Sequence, residues 1–294
     1  MPSSSALSDT KHISPRSVPR VSHSSNERRS DMDLSARERM CIAISRELAD
    51  GEVVLTGAAS AIPLAASLLA QAQHAPGLTI LGAGVYVNPR RLVPEFTAGW
   101  NCHPVAIADM SDVFAITELG IDVMFYGGMQ IDQHGSVNVH YVSTSSGRLR
   151  GPGMANTALG HTARRTLLFT ERHDRRTLTD HVEYASVIGH GYRGKTRQEL
   201  GLPNQGPAAL FTPEAVLRPD STGVLQPDTK LGELSWSTVA DSIGWEVSRS
   251  QPADFAATDD EVALLRTHVD PSGILRRSSI IPRLPRPATG NERT

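Results

Sequence analysis

The sequence predicts an α/β fold with a mostly parallel open sheet and flanking helices. Three observations predict it. A short apolar strand, a helix-patterned segment and a second apolar strand follow one another near the start, and such a unit implies a parallel pair joined by a right-handed crossover. Later apolar runs keep the same rhythm, each ending abruptly in polar residues. With 39% hydrophobic and 20% charged residues among 294, the chain can bury a large core and is not globally disordered.

Residues 1–34 are rich in Ser, Arg and Pro and lack bulky apolar side chains, so they read as a disordered extension. A transit peptide is the alternative for this stretch, weakened by Asp9, Glu27 and Asp31; a true start at Met32 is another. Residues 35–276 read as one α/β domain. Ser35, with Glu38 three residues on, is an expected capping box for a helix that closes at Gly51. EVVLTG is a buried strand, AIPLAASLLAQAQHA a helix with Pro63 in its first turn, and LTILGAG the next strand. A strand is expected at Val123–Gly127, and SVNVHYVST (136–144) alternates like another. RTLLFTERH, HVEYASVIGHG and GPAALFTPEAVLRP read as further strands with polar exits. Residues 258–274 form a last helix with acids in its first turn, where they suit the helix dipole. The segment 277–294 is a Pro- and Arg-rich flexible tail.

Twenty-nine basic and 31 acidic residues leave a net charge of −2, without the basic surplus that nucleic acid binding calls for. Cys41 and Cys102 have no metal-type spacing and fit a reducing compartment. No apolar run approaches the roughly 20 residues of a membrane span, so a cytoplasmic protein is expected. Gly82-Ala83-Gly84 invites comparison with a dinucleotide loop, yet Val87 stands where a third glycine belongs. The following NPRRLVPEF, with Pro89 and Pro94, is a poor helix. The glycines read as a sharp turn at a strand end.

The centre of the chain is more specific. GGMQIDQHGSVNV (127–139) is followed by GRLRGPGMANTALGHTARRTLLF (147–169), DHVEYASVIGHGY and NQGPAALFTPEAVLRPDSTG. With GEVVLTGAASAIPLAASLLAQAQHAPGLTIL before them and GWEVSRSQPADFAATDDEVALLRTHVDPSGI after, they resemble the β subunit of family I CoA-transferases, most closely the glutaconate CoA-transferase type. The resemblance is collinear over about residues 35–275. It implies the NagB/RpiA/CoA-transferase-like fold, an α-type partner subunit of similar size, and coenzyme A carried in the substrate with no permanently bound cofactor or metal. It also implies that Asn138 and Gly153 approach the reacting thioester as donors that stabilise its oxyanion. Gly151, Met154, Ala155 and Asn156 then form the loop that receives the acyl-CoA. Met154 stands where the family has a second adjacent glycine, and Ser136 where it has Asn.

One departure bears on the reaction. In the transferases the strand equivalent to LTIL ends in a glutamate that attacks the acyl-CoA to form an anhydride and then a glutamyl-CoA thioester. Here Ala83 occupies that place, and the nearest downstream acid is Glu95. The resemblance therefore implies a divergent branch that hydrolyses, cleaves or decarboxylates an acyl-CoA. True CoA transfer with another acid, or an inactive subunit that stabilises an α partner, remain the alternatives. Among His134, His140, His161, His173, His181, His190 and Cys102 as proton-transfer candidates, His140 stands out, two residues from Asn138 on an expected strand and so on the same face. Arg148, Arg150 and Arg164 are candidates for phosphate or carboxylate contacts.

Overall fold

The computed structural model describes residues 33–57, 60–82, 85–93, 101–153, 157–202 and 204–277. Ten strands form the main sheet: β1 (Val53–Leu55), β2 (Thr79–Gly82), β3 (Tyr86–Val87), β4 (Ala106–Ile107), β5 (Val123–Gly127), β6 (Arg165–Phe169), β7 (Pro207–Phe211), β8 (Ala215–Pro219), β9 (Leu225–Lys230) and β10 (Ala253–Asp254). Their spatial order is β10-β9-β8-β7-β6-β5-β1-β2-β3-β4. The five central strands, β2, β1, β5, β6 and β7, are parallel, and β3, β4, β8 and β9 extend the sheet with antiparallel pairs. The expected mostly parallel sheet with flanking helices is what the chain forms.

Neighbouring residues on the central strands divide between two cores. Val54, Ile80, Val123, Phe125, Leu167 and Phe211 face one; Leu55, Leu81, Met124, Tyr126, Leu168 and Leu210 face the other. A strand covered on both sides needs apolar residues at every position, which is why these runs do not alternate. The first core is closed by helices α1 (Ala36–Ser45), α2 (Ala61–Gln73) and the C-terminal helix, and α1 packs on α2. Helix α2 is buried continuously from Ile62 to Ala70, and Pro63 fits because first-turn N–H groups have no intrahelical acceptor. Helix α3 (Met110–Leu119) leads into β5, and α4 (Thr157–Thr162) precedes β6. Helix α5 (Trp236–Asp241) contributes Trp236, Val239 and Ala240 to the second core. No helix among the described residues is long and apolar enough to cross a membrane.

The Ser35–Glu38 capping box forms as expected, but α1 ends at Ser45; residues 46–51 turn, with Gly51 at φ +78°. Arg46 is drawn instead to Glu261 by two bonds of 2.7 Å, tying the helix end to the C-terminal helix. That last helix is α6 (Asp259–Leu264), prolonged by a π turn, Leu265–Val269, and it stops short of residue 274 because the Asp270 carboxylate accepts from the Ile274 and Leu275 N–H groups. Residues 136–144 are not one strand: Val137–Asn138 pairs with Gln130–Asp132, and Tyr141–Thr144 starts a separate hairpin with Gly147–Arg150. Residues 181–190 contribute only a bridge, Val187 to Val137. Two of their N–H groups bond side chains instead, Ile188 N–H donating to His161 Nε2 and Gly189 N–H to Ser136 Oγ.

Candidate active site

The carboxyl ends of parallel strands are where open α/β sheets place ligands. Leu55 pairs with Leu81 on one side and Met124 on the other, so the ends of β2, β1 and β5 stand side by side. The segments that leave them read GAGVYV (82–87), TGAAS (56–60) and GGMQ (127–130). None holds a carboxylate, histidine, cysteine or lysine. Ala83 and Gly84 lie outside the described residues, as does Glu95. After Gly82 the chain returns as antiparallel β3, with Gly82 opposite Tyr86 and Val85 N–H donating to Gly82 O at 3.1 Å. A strand where a dinucleotide fold needs a helix leaves no helix N-terminus for a pyrophosphate.

Beyond β5, Gly128 admits no side chain, since a Cβ there would stand 2.6 Å from Val137 Cγ1 and 2.8 Å from Gln130 O. Gln130–Asp132 then pairs antiparallel with Val137–Asn138. The turn between them is held by Asp132, whose Oδ1 accepts from His134 N at 3.0 Å and Ser136 N at 2.8 Å. Burial pushes the Asp132 carboxyl above its ordinary pKa, and those bonds oppose the shift. Asn138 is fully buried. Its Nδ2 donates to Gln130 Oε1 at 2.9 Å and to Tyr141 O at 2.7 Å, and its Oδ1 accepts from His140 N at 3.0 Å. Both amide donors are engaged within the fold, so donation to a thioester requires one of these bonds to open.

The glycine segment docks on the two residues that follow Asn138. Gly151 N–H donates to His140 O at 2.8 Å and Gly153 N–H to Val139 O at 3.1 Å. At Gly151 a Cβ would press into the Val139 carbonyl and stand 2.6 Å from Met129 Sδ. Gly153 faces open space and adopts φ +98°, a conformation glycine allows at little cost. Met154, Ala155 and Asn156 lie outside the described residues. His140 does not share a strand face with Asn138 as expected, because the strand ends at Asn138. The half-buried His140 ring instead packs against Tyr184, centroids 4.9 Å apart, and Tyr141 at 5.2 Å.

Most other candidates are structural. His161 Nε2 accepts from Ile188 N–H, so its ring is unprotonated there, and burial holds its pKa low. His173 lies between Thr212 Oγ1 at 2.9 Å and Val239 O at 3.0 Å, and His190 Nε2 is 2.7 Å from Pro207 O. His134 Nδ1 lies 3.3 Å from Gly223 O, and the exposed His181 sits 3.4 Å from Asp180. Cys102 is buried, which pushes its thiol up and disfavours the thiolate. Arg164 pairs with Glu52 at 2.6 Å and Asp122 at 3.5 Å, at the amino ends of β1 and β5, opposite the glycine segments. Two residues that sequence reasoning does not single out join the network. Gln130 Oε1 also accepts from Glu183 N at 3.0 Å, and the Glu183 carboxylate accepts from Ser143 N–H at 2.9 and 3.0 Å. Gln130 lies inside the GGMQIDQHGSVNV segment; Glu183 gives no local signal. Among the described residues no group of three or more His, Cys, Asp or Glu side chains could hold a metal ion.

Known proteins share this fold. Residues 37–233, about two thirds of the chain, match the Coenzyme A transferase family. The B-type subunit of 3-oxoadipate CoA-transferase from Pseudomonas knackmussii is 26% identical over 240 residues, covering 78% of this chain and 90% of that one. The B-type subunit of glutaconate CoA-transferase from Acidaminococcus fermentans is 26% identical over 254 residues, covering 80% and 92%. The crystal structure of that glutaconate enzyme superposes with a TM-score of 0.72 at 21% identity, covering 84% of this chain and 99% of that one. The decarboxylase AibA/AibB shares the fold with a TM-score of 0.69 at 22% identity, covering 83% and 98%. The chain belongs to the Coenzyme A transferase family.

Proposed function

We propose that the chain is the β-type subunit of a heteromeric enzyme that acts on an acyl-CoA thioester by hydrolysis, C–C cleavage or decarboxylation, without a glutamyl-CoA intermediate. One observation carries this reading: the segments leaving the three adjacent strand ends hold no carboxylate, histidine, cysteine or lysine, and the family resemblance sets Ala83, after β2, at the transferases' glutamate position. An alanine has no lone pair to attack a carbonyl and no proton to give. Both sequence relatives are B-type subunits of CoA-transferases, which supports a two-subunit assembly. A decarboxylase among the structural relatives supports other chemistry on the same scaffold.

On this reading the chain supplies shape. Small residues at the strand ends let a thioester approach the backbone closely, and the glycine segment, pinned to Val139 and His140, forms the adjoining wall. Acid and base groups come from the α-type partner. In hydrolysis, water oxygen bonds to the acyl carbon, the C–S bond breaks, and the proton lost by water goes to the departing CoA thiolate. Ala83→Glu tests the reading. The variant, purified with its partner, is expected to gain exchange of CoA between an acyl-CoA and a free carboxylic acid. Equal exchange by the parent protein would overturn the proposal.

A further inference from the structure

The hairpin that leads into the glycine segment presents an aromatic and basic surface. Its strands pair Tyr141 with Arg150 and Ser143 with Arg148. Cross-strand partners share a face, as do residues two apart, so Tyr141, Ser143, Arg148 and Arg150 stand together. Arg148 Cζ lies 4.6 Å from the Tyr141 ring centroid. The Tyr184 ring lies 6.0 Å from that of Tyr141 and is 36% exposed. Residues 143–150 are all exposed.

Among the described residues neither Arg148 nor Arg150 has an ion-pair partner, whereas Arg37, Arg46, Arg164, Arg165, Arg218 and Arg266 each have one. Glu183, the carboxylate bonded to the hairpin, is engaged by the Ser143 N–H. Two guanidinium groups two residues apart on a strand have Cα atoms about 7 Å apart. Such forks bind phosphate oxygens in pairs, and an exposed tyrosine ring stacks on a nucleobase. Arg150 directly precedes Gly151, so this face is continuous with the glycine segment.

We propose that this hairpin face binds the nucleotide end of the thioester substrate, an adenosine diphosphate group, with its phosphates on Arg148 and Arg150 and its base on Tyr184. The proposal rests on the reading that the chain handles an acyl-CoA. The long pantetheine arm of such a substrate separates nucleotide from acyl group, so the two ends can occupy the hairpin and the strand ends together.

Calorimetric titration of the chain co-purified with its partner tests this, with CoA as ligand and ADP and pantetheine as competitors. The double variant R148A/R150A is expected to bind CoA about tenfold or more weakly and to lose competition by ADP, while pantetheine still competes. R148K/R150K should recover part of the affinity, because charge returns without the fork. Both sites are exposed, and an unchanged circular dichroism spectrum verifies the fold. Parental affinity for CoA in the double-alanine variant overturns the hairpin site alone. Failure of the parent protein to bind either CoA or pantetheine overturns the acyl-CoA reading and this site with it.

Discussion

Asn138 Nδ2 and Gln130 Oε1 meet at 2.9 Å across a two-strand ladder, and the same Gln130 oxygen accepts the Glu183 N–H at 3.0 Å. The family motif residue is thus bolted into the scaffold by a neighbour from its own motif and by a loop 45 residues further on. Asn138→Ala removes three bonds at a fully buried site and leaves the Tyr141 carbonyl without its side-chain donor. The expected cost is about 2–3 kcal/mol, read as a lower urea midpoint at constant slope. A loss below about 0.5 kcal/mol would mean that the amide is not held as described.

The two glycines that dock on Val139 and His140, just past this strand, should respond differently to alanine. Gly153→Ala meets open space and suffers only backbone strain at φ +98°, about 1–2 kcal/mol. Gly151→Ala drives a methyl group into the Val139 carbonyl and Met129 Sδ, so the strand or the loop must move. The expected order in thermal denaturation is Gly151→Ala well below Gly153→Ala. The reverse order would contradict the docking geometry.

Mild acid should loosen the fold through its buried histidines. Burial is the main cause holding His161, His173 and His190 below the ordinary histidine value of 6.5. As pH falls through 6.5 the unfolded chain takes up protons that the native histidines still refuse. The unfolded state then binds more protons, so stability is complete above about pH 6.5 and declines below it until the native histidines titrate. A melting temperature followed from about pH 7.5 to 5.5 should fall, and His161→Gln should flatten part of the slope. A flat profile in the parent protein would sink this expectation.

Arg197 is 7% exposed and donates to the carbonyls of Ile188 at 2.7 Å, Gly189 at 2.8 Å and Asn204 at 3.1 Å. It organises the segment that bonds His161 and Ser136. Arg197→Ala removes the donor from the buried Gly189 carbonyl and from the part-buried carbonyls of Ile188 and Asn204, and is expected to cost about 2–3 kcal/mol in chemical denaturation. Hydrogen exchange should rise first at Ile188 and Gly189. Unchanged protection there would rule out the clamp.

How much of the fold is legible in the sequence follows from where each signal resides. The strands β1, β2, β5, β6 and the β7–β8 pair are readable because a strand covered on both faces is apolar at each position. Ser35–Glu38 is readable because a capping box is local. The stretch 136–144 misleads because its two halves pair with different strands, and 181–191 because some of its backbone groups bond side chains far away in sequence, as Ile188 does with His161. The helices α3, α4 and α5 and the two-residue strands β3, β4 and β10 have too little periodicity to stand out. At the candidate site, motif matching singles out Asn138 and Gly151 as candidates but gives no signal of Asn138's bonding, which depends on Gln130, Glu183 and Tyr141.

The most direct test of the proposal that no glutamyl nucleophile takes part is turnover of an acyl-CoA panel in H₂¹⁸O by this chain with its partner, with and without acetate as acceptor, read by mass spectrometry. Labelled oxygen in the acid product, or loss of CO₂, is predicted, with no CoA appearing on acetate. Formation of acetyl-CoA would contradict the proposed chemistry and show that a nucleophile serves the site.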